Sequence, residues 1–411
     1  QYYLNNSLSW SKISSGKIAF RYYPYGFLFD VAGCSIFLDK IKYNYLLAFL
    51  NSEISYDILK LISPTLNYEV GHISSLPFIY DDSLNRIINE IVSKNVSISK
   101  KDWDDYEISW DFKNNPLIKF KRGDINNSYV EFSDFKYNQF NSLKENEIKL
   151  NKIFSKIYDM DFNNNISDEY ISLNLSNKKD DVKSFISYAV GCMFGRYSLD
   201  EEGLAFAGGD FNINNYETFV PDDDNIIPIF DEEYFEDDIV NRFIEFVKIT
   251  FGEENLEINL DFIANALNEK GKNSRKVIRD YFLKDFYKDH VKIYKKRPIY
   301  WLFDSGRQNG FKCLIYLHRY EPSLVARVRT DYLHKTQKVY EDLISNNENI
   351  ILNSDNKTEV NKANKSKTKL LKQLDETRIY DEALAHIANQ NIDIDLDAGV
   401  KVNYEKFQGV N

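Results

Sequence analysis

The sequence predicts an α+β protein: a small mixed α/β unit followed by a predominantly α-helical carboxy-terminal region that contains one short hairpin. Three observations predict it. Residues 1–40 alternate aromatic or β-branched with polar residues, punctuated by Gly16, Pro24, Gly26 and Gly33, the pattern of strands and turns. From Asp81 onward apolar residues recur three and four apart, the spacing of a helix face. Two short apolar runs, 299–303 and 311–317, flank a turn-forming stretch at 305–310.

Each element follows in order. Ile18-Ala19-Phe20-Arg21-Tyr22-Tyr23 reads as a strand. Leu46, Leu47, Leu50, Ile54, Ile58 and Leu61 predict one amphipathic helix over 43–62, stopped by Ser63-Pro64. Residues 65–79 return to strand character, ended by Pro77, so that 1–80 closes as one α/β unit. A helical spacer is expected over 81–165, where Phe132, Phe135, Phe140, Leu143, Leu150, Phe154 and Ile157 mark one long helix. A mostly helical domain is expected over 166–411. Val182, Phe185, Ile186, Ala189, Val190 and Met193 fit the helical template, and Phe235, Ile239, Phe243, Phe246 and Val247 nearly do. Between them, Gly203, Gly208, Gly209 and the run Asp222-Asp223-Asp224 predict a solvated, mobile surface segment. Val325, Val328, Tyr332, Val339 and Leu343 keep near-heptad spacing, and the polar stretch 344–375 extends that helix or frays into a linker. Trp103, Trp110 and Trp301 are expected in core or interdomain packing.

Composition narrows the function. At 43% hydrophobic and 15% aromatic over 411 residues, the chain is too apolar for disorder and long enough for several cores. Cys34, Cys192 and Cys313 are far apart, which suits a reducing compartment and predicts a cytoplasmic protein. No run approaches the ~18 consecutive apolar residues of a membrane span, so no membrane partner is expected. The chain opens at Gln1 in strand-like sequence, which predicts a fragment of a longer protein. The net charge of −11 hides a segregation: residues 200–261 carry 19 Asp and Glu against Arg242 and Lys248, whereas 270–340 carry 18 Lys and Arg against 6 Asp and Glu. A basic block of that density predicts a polyanion surface on part of the protein.

The chemistry of several enzyme classes is missing. Methylation of a base amine in DNA needs a short Asp/Asn-Pro-Pro-aromatic loop, and the eight prolines here are all isolated. No Gly-x-Gly is present for a nucleotide-type cofactor loop, and no Gly-Lys-Ser/Thr for a phosphate cradle. The five histidines lack metal-ligand spacing, and the acidic residues lack the spacing of a metal nuclease. We therefore expect no catalytic residue, no metal site and no bound cofactor in this chain.

Several motifs carry more than composition. Leu50-Asn51-Ser52, Asn67-Tyr68-Glu69-Val70-Gly71-His72-Ile73 and Leu76-Pro77-Phe78-Ile79 resemble the closing half of a target-recognition domain of type I and type IIG restriction-modification DNA methyltransferases. They are followed by Asp102-Trp103-Asp104-Asp105-Tyr106-Glu107-Ile108-Ser109-Trp110-Asp111-Phe112, by Gly191-Cys192-Met193-Phe194-Gly195-Arg196-Tyr197-Ser198-Leu199-Asp200, by Arg297-Pro298-Ile299-Tyr300-Trp301-Leu302-Phe303-Asp304-Ser305, by Tyr316-Leu317-His318-Arg319-Tyr320, and by Ile394-Asp395-Leu396-Asp397-Ala398-Gly399-Val400-Lys401-Val402-Asn403-Tyr404. In that order the set resembles the carboxy-terminal part of the PglX-type adenine-specific DNA methyltransferases of BREX phage defence.

The resemblance implies a division of labour. The S-adenosylmethionine site and the proline-proline loop of that family lie upstream of the recognition domain, so the full-length enzyme would use S-adenosylmethionine while this chain selects the site and holds double-stranded DNA. It implies the upstream methyltransferase domain and other BREX proteins as partners. By charge, a phage inhibitor that mimics DNA would compete for the same surface. On this reading Lys12, Ser14, Ser15, Lys17, Arg21, Asn67 and His72 contact base edges, Lys17 and Arg21 donating to guanine and Asn67 pairing with adenine. Lys292, Lys295, Lys296, Arg297, Arg307, Lys312 and Arg319 contact phosphates. His72 alternatively ends a strand, and the 295–297 cations alternatively form an ordinary surface cluster. The competing class is a protein-interaction module that docks other defence subunits without touching DNA.

Overall fold

The computed structural model describes residues 2–38, 42–162, 166–267 and 273–410. Lys270 and Lys272 of the basic block lie outside the described residues. Two three-stranded antiparallel sheets sit among many helices, the α+β class read from the sequence. The chain divides into two compact units, Gln1–Asp104 with Ser133–Ser176, and Asp105–Phe132 with Asn177–Asn411.

In the first unit, β1 (Ser7–Ser11) lies between β2 (Arg21–Tyr23) and β3 (Gly33–Ile36). Leu8 pairs with Tyr22 and Ile36, and Trp10 with Cys34. Alternation turns Leu8 and Trp10 inward, where they join a core of Phe20, Tyr45, Phe49, Ile54, Leu59, Ile88 and Phe154. The helix Asp82–Asp104 buries Ile88, Val92 and Ile98. From Ser133 on, the helix Ile125–Tyr158 supplies Phe140, Leu143, Leu150 and Phe154.

Two readings of this unit are corrected. The helix expected over 43–62 is two, Tyr43–Leu50 and Glu53–Ile62. Asn51 interrupts it because its side chain accepts from the Phe20 amide (2.9 Å) and donates to the Phe20 carbonyl (3.1 Å). Ser52 then caps the second helix by accepting from the Ser55 amide. The strand character expected over 65–79 is limited to a single bridge between Ile13 and Asn67. Val70–Ser74 is helical, opened by a capping box in which the His72 ring stands where a glutamate usually does, so His72 does not end a strand.

In the second unit, β6 (Lys312–Tyr316) lies between β4 (Ile227–Pro228) and β5 (Tyr300–Asp304). Tyr300 faces Tyr316 and Leu302 faces Leu314, the hairpin expected near residue 300. The helix Lys178–Met193 is buried on every side from Phe185 to Met193. Gly191 is required there: a Cβ would lie 2.4 Å from the Tyr197 ring. Ile239–Phe251 begins after Phe235, since Asp238 caps it by accepting from the Val240 amide and pairs with Arg279 at 2.8 Å.

Three expectations are corrected in this unit. Of the segment read as solvated and mobile, Gly208, Gly209 and Asp210 are exposed, but its end is anchored: Ile226, Ile227, Ile229 and Phe230 are core residues. Asn225 binds both the amide and the carbonyl of Tyr316, each at 3.0 Å. Asp222 is itself buried, and burial, then the charge of Asp224, raises its pKa. The stretch 344–375 extends that helix only as far as Asn353 and does not fray. His334–Asn353 ends at Ser354, and Lys357–Asn389 restarts under an Asn356 cap. Glu348–Lys367 and Glu341–Arg378 ion pairs show the two helices running antiparallel. Of the tryptophans, Trp301 is buried, but Trp103 and Trp110 are 52% and 97% exposed. Trp103 lies past Ile98, the last buried residue of its helix, one position before the helix ends at Asp104.

Candidate nucleic-acid interface

The recognition residues read from the sequence fall into two groups within the first unit. Lys12 donates its amide to Ala32 (2.9 Å) and accepts from the Tyr68 amide (2.7 Å), while the Ser14 amide donates to Leu66 (3.0 Å). This short ladder sets Lys12, Ser14 and Asn67 along one edge. The next turn adds His72, whose Nδ1 accepts from the Glu69 amide at 3.2 Å. Lys12 Nζ sits 3.1 Å from Glu69, both partly exposed, so this ion pair is weak and easily exchanged for another anion. Ser15 is exposed beside them in sequence; the Ser14 hydroxyl donates to the Gly16 carbonyl.

Lys17 and Arg21 are placed with carboxylates instead. Lys17 Nζ lies 2.5 Å from Glu53 and over the rings of Tyr56 and Tyr170. Arg21 donates to the Phe20 carbonyl. Glu147 shares this neighbourhood: burial pushes its pKa up to about 7, Lys17 and Arg21 pull it down, and Glu53 adds to the rise. Glu53 and Glu147 were not singled out by sequence reasoning. Helical acids are common, and only the fold shows which ones meet a cation.

In the second unit the phosphate candidates also separate. The helix Phe286–Ile293 ends at Tyr294, after which Lys295 and Lys296 take φ of +51° and +64°. The Lys296 amide donates back to Val291 (2.8 Å) and the Arg297 amide to Tyr294 (2.9 Å), which curls the chain into a tight cationic turn. His290, 1% exposed, fixes that turn against β5: its Nε2 accepts from the amides of Ile299 (3.0 Å) and Tyr300 (3.1 Å). Lys292, Lys295, Lys296, Arg297 and Arg307 are exposed, and none makes an ion pair among the described residues. Arg307 rides on the β5–β6 turn, which Glu376 ties down through Ser305, Gln308 and Gly310.

Lys312 and Arg319 are committed inside the fold. Lys312 Nζ is half-buried, 3.0 Å from Asp304. Arg319 donates to the carbonyls of Phe194 (3.3 Å), Asp222 (2.7 Å) and Asp223 (2.9 Å), and its guanidinium lies 3.8 Å from the Phe211 ring centre. A phosphate would have to displace these bonds.

The described residues do not fit an S-adenosylmethionine site. Sheets of that function bind nucleotide-like ligands in a crevice at the carboxyl ends of parallel strands, and every strand pair described here is antiparallel. No step of methyl transfer is assigned to this chain. Among the described residues no helix is long and apolar enough to cross a membrane.

No family model matches the chain. Over 98% of its length it is 42% identical to the adenine-specific methyltransferase PglX of Lacticaseibacillus casei (strain Zhang), spanning 34% of that protein. Over 98% it is likewise 37% identical to the adenine-specific methyltransferase BrxX of Escherichia coli O9:H4 (strain HS), spanning 36%. The chain thus covers about a third of the length of the curated relatives it matches.

Proposed function

Because nearly the whole chain is homologous to one third of two adenine-specific methyltransferases, we propose that it is the DNA-recognition portion of such an enzyme, acting in BREX phage defence. Unit one reads base edges from the Lys12, Ser14, Asn67 and His72 edge. Unit two holds the sugar–phosphate backbone through Lys292, Lys295, Lys296, Arg297 and Arg307 and so sets register. Transfer from S-adenosylmethionine to the exocyclic amine of a flipped adenine belongs to a catalytic domain elsewhere in the full-length protein. Other BREX proteins join that protein, and a DNA-mimicking phage inhibitor competes for the cationic turn.

One observation carries the phosphate role. Two successive lysines occupy left-handed backbone positions that glycine or asparagine would fill with less strain. Their side chains stand in solvent with no carboxylate partner among the described residues. Local strain retained at an unpaired cationic turn supports an anionic ligand outside the chain. Replacing Lys295, Lys296 and Arg297 with alanine in the full-length enzyme tests this. Binding to matched and scrambled duplexes should weaken equally, and the slope of log affinity against log salt should flatten by roughly 0.9 per lost contact. Unchanged binding to both duplexes would remove the turn from the interface.

The competing reading, a module that docks protein subunits, draws on the exposed Tyr106, Ile108 and Trp110 of the second unit. It predicts negligible DNA binding at low salt and a stoichiometric protein complex that Trp110→Ala disrupts.

A further inference from the structure

The helical hairpin of the second unit holds a basic surface outside the 270–340 block. Residues 357–372 contain six lysines and one acid, Glu359, and Ser354 already donates to that glutamate. The buried side of the helix is Ala363, Leu370, Leu374 and Thr377, packed toward Tyr340 of its antiparallel neighbour. At about 100° per residue, Lys362, Lys365, Lys369 and Lys372 fall on a single exposed strip beside that side. The strip runs about 15 Å along the axis at 1.5 Å per residue.

Ion pairing distinguishes these lysines from their neighbours. Lys367 is held by Glu348 at 2.7 Å, and Lys369 by Asp231. Lys362, Lys365 and Lys372 are exposed and have no ion pair among the described residues. Their neighbours Asn361, Asn364 and Thr368 are exposed and polar; Asn364 and Thr368 donate to the Val360 and Asn364 carbonyls of their own helix, so the lysines supply the charge. The hairpin is rigid enough to present them: Asn347 and Ser366, Glu341 and Arg378, and Gln337 and the Thr377 carbonyl cross-link its two arms.

We propose that Lys362, Lys365 and Lys372 form a second backbone clamp, which lies along one strand of a nucleic-acid duplex and is independent of sequence. Its reach matches the ligand: about 15 Å of helix faces roughly four phosphates of one strand at 3.4 Å of duplex axis each. The clamp rests on the reading of this chain as a duplex-binding portion, and it extends the footprint beyond the turn at 295–297.

The test is fluorescence anisotropy of a labelled duplex titrated with the full 411-residue chain at several salt concentrations. K362A/K365A/K372A should bind tenfold or more weakly on matched and scrambled duplexes alike. Its salt slope should be shallower by roughly 2–3, while the triple arginine variant keeps the wild-type slope. Lys357→Ala, off the strip, should change neither quantity severalfold, and circular dichroism of each variant should show an intact helical spectrum. If the wild type binds and the triple alanine variant keeps its affinity and slope, the clamp is refuted while DNA binding at the turn stands. If the wild type fails to bind at low salt, the DNA reading falls and the clamp with it. Loss of an acidic protein partner with an unchanged salt slope would also overturn it.

Discussion

The Trp10 indole Nε1 donates to the carbonyl of Tyr68 at 2.8 Å across a buried contact, and so locks β1 to the segment that carries Asn67 and His72. Trp10→Phe keeps most of the packing and removes the bond, leaving a buried carbonyl short of a donor. The expected cost is about 1–2 kcal/mol by urea denaturation. Hydrogen exchange at the Ser14 and Tyr68 amides should quicken as the edge loosens, and unchanged exchange would show that the edge does not depend on this contact.

His290 should give the second unit an acid-sensitive step. Burial holds its pKa down at about 3 against an ordinary 6.5, with Arg196 adding to the fall. The unfolded chain therefore takes up a proton that the folded chain refuses, and stability falls as pH drops from about 6.5 toward 3. His290→Leu should lose this slope. It should also be destabilised at neutral pH by about 3 kcal/mol, because two backbone amides lose their acceptor. Trp301 fluorescence followed against urea at pH 7.5 and 5 measures both.

Glu147 should act with the opposite sign in the first unit. Its folded pKa near 7 exceeds the ordinary 4.5, so the folded state holds the proton more tightly and stability declines as pH rises from about 4.5 to 7. Glu147→Gln should stabilise the unit at pH 8, on the order of 1 kcal/mol after solvent screening, and make little difference at pH 4.5. A melting temperature at pH 8 that does not rise would count against this assignment.

Lys296→Gly and Arg319→Ala should separate binding from folding. Glycine relieves the left-handed strain at 296, so stability should hold or rise by up to about 1 kcal/mol while DNA affinity falls. Arg319→Ala strips three carbonyls of their donor, those of Phe194 and Asp222 partly buried, and should destabilise by about 1–3 kcal/mol. Paired denaturation and anisotropy titrations distinguish the two. A K296G variant with full affinity would free that lysine of any phosphate role.

Glu69 and His72 show why site geometry was less legible than fold. Their spacing marks a helix start, yet the aromatic and β-branched residues around them read as strand, and the local capping box outweighed that propensity. At 43–62 the apolar spacing is right throughout; what broke the helix was Asn51 bonding Phe20, the residue before β2, 31 positions away. The solvated reading of Asp222 failed likewise, because Arg319 and the Ile226 amide fold that loop inward.

The amino-acid pattern alone determined the α+β class, the long helices, the hairpin near residue 300 and the concentration of cations, because each depends on neighbours within a few positions. Tertiary structure decided which cations remain available. Lys17 meets Glu53, and Arg319 meets carbonyls 96 residues or more away, while Lys295, Lys296 and Arg297 meet no carboxylate among the described residues. Ion pairing and desolvation depend on distance in space, which periodicity along a chain does not encode.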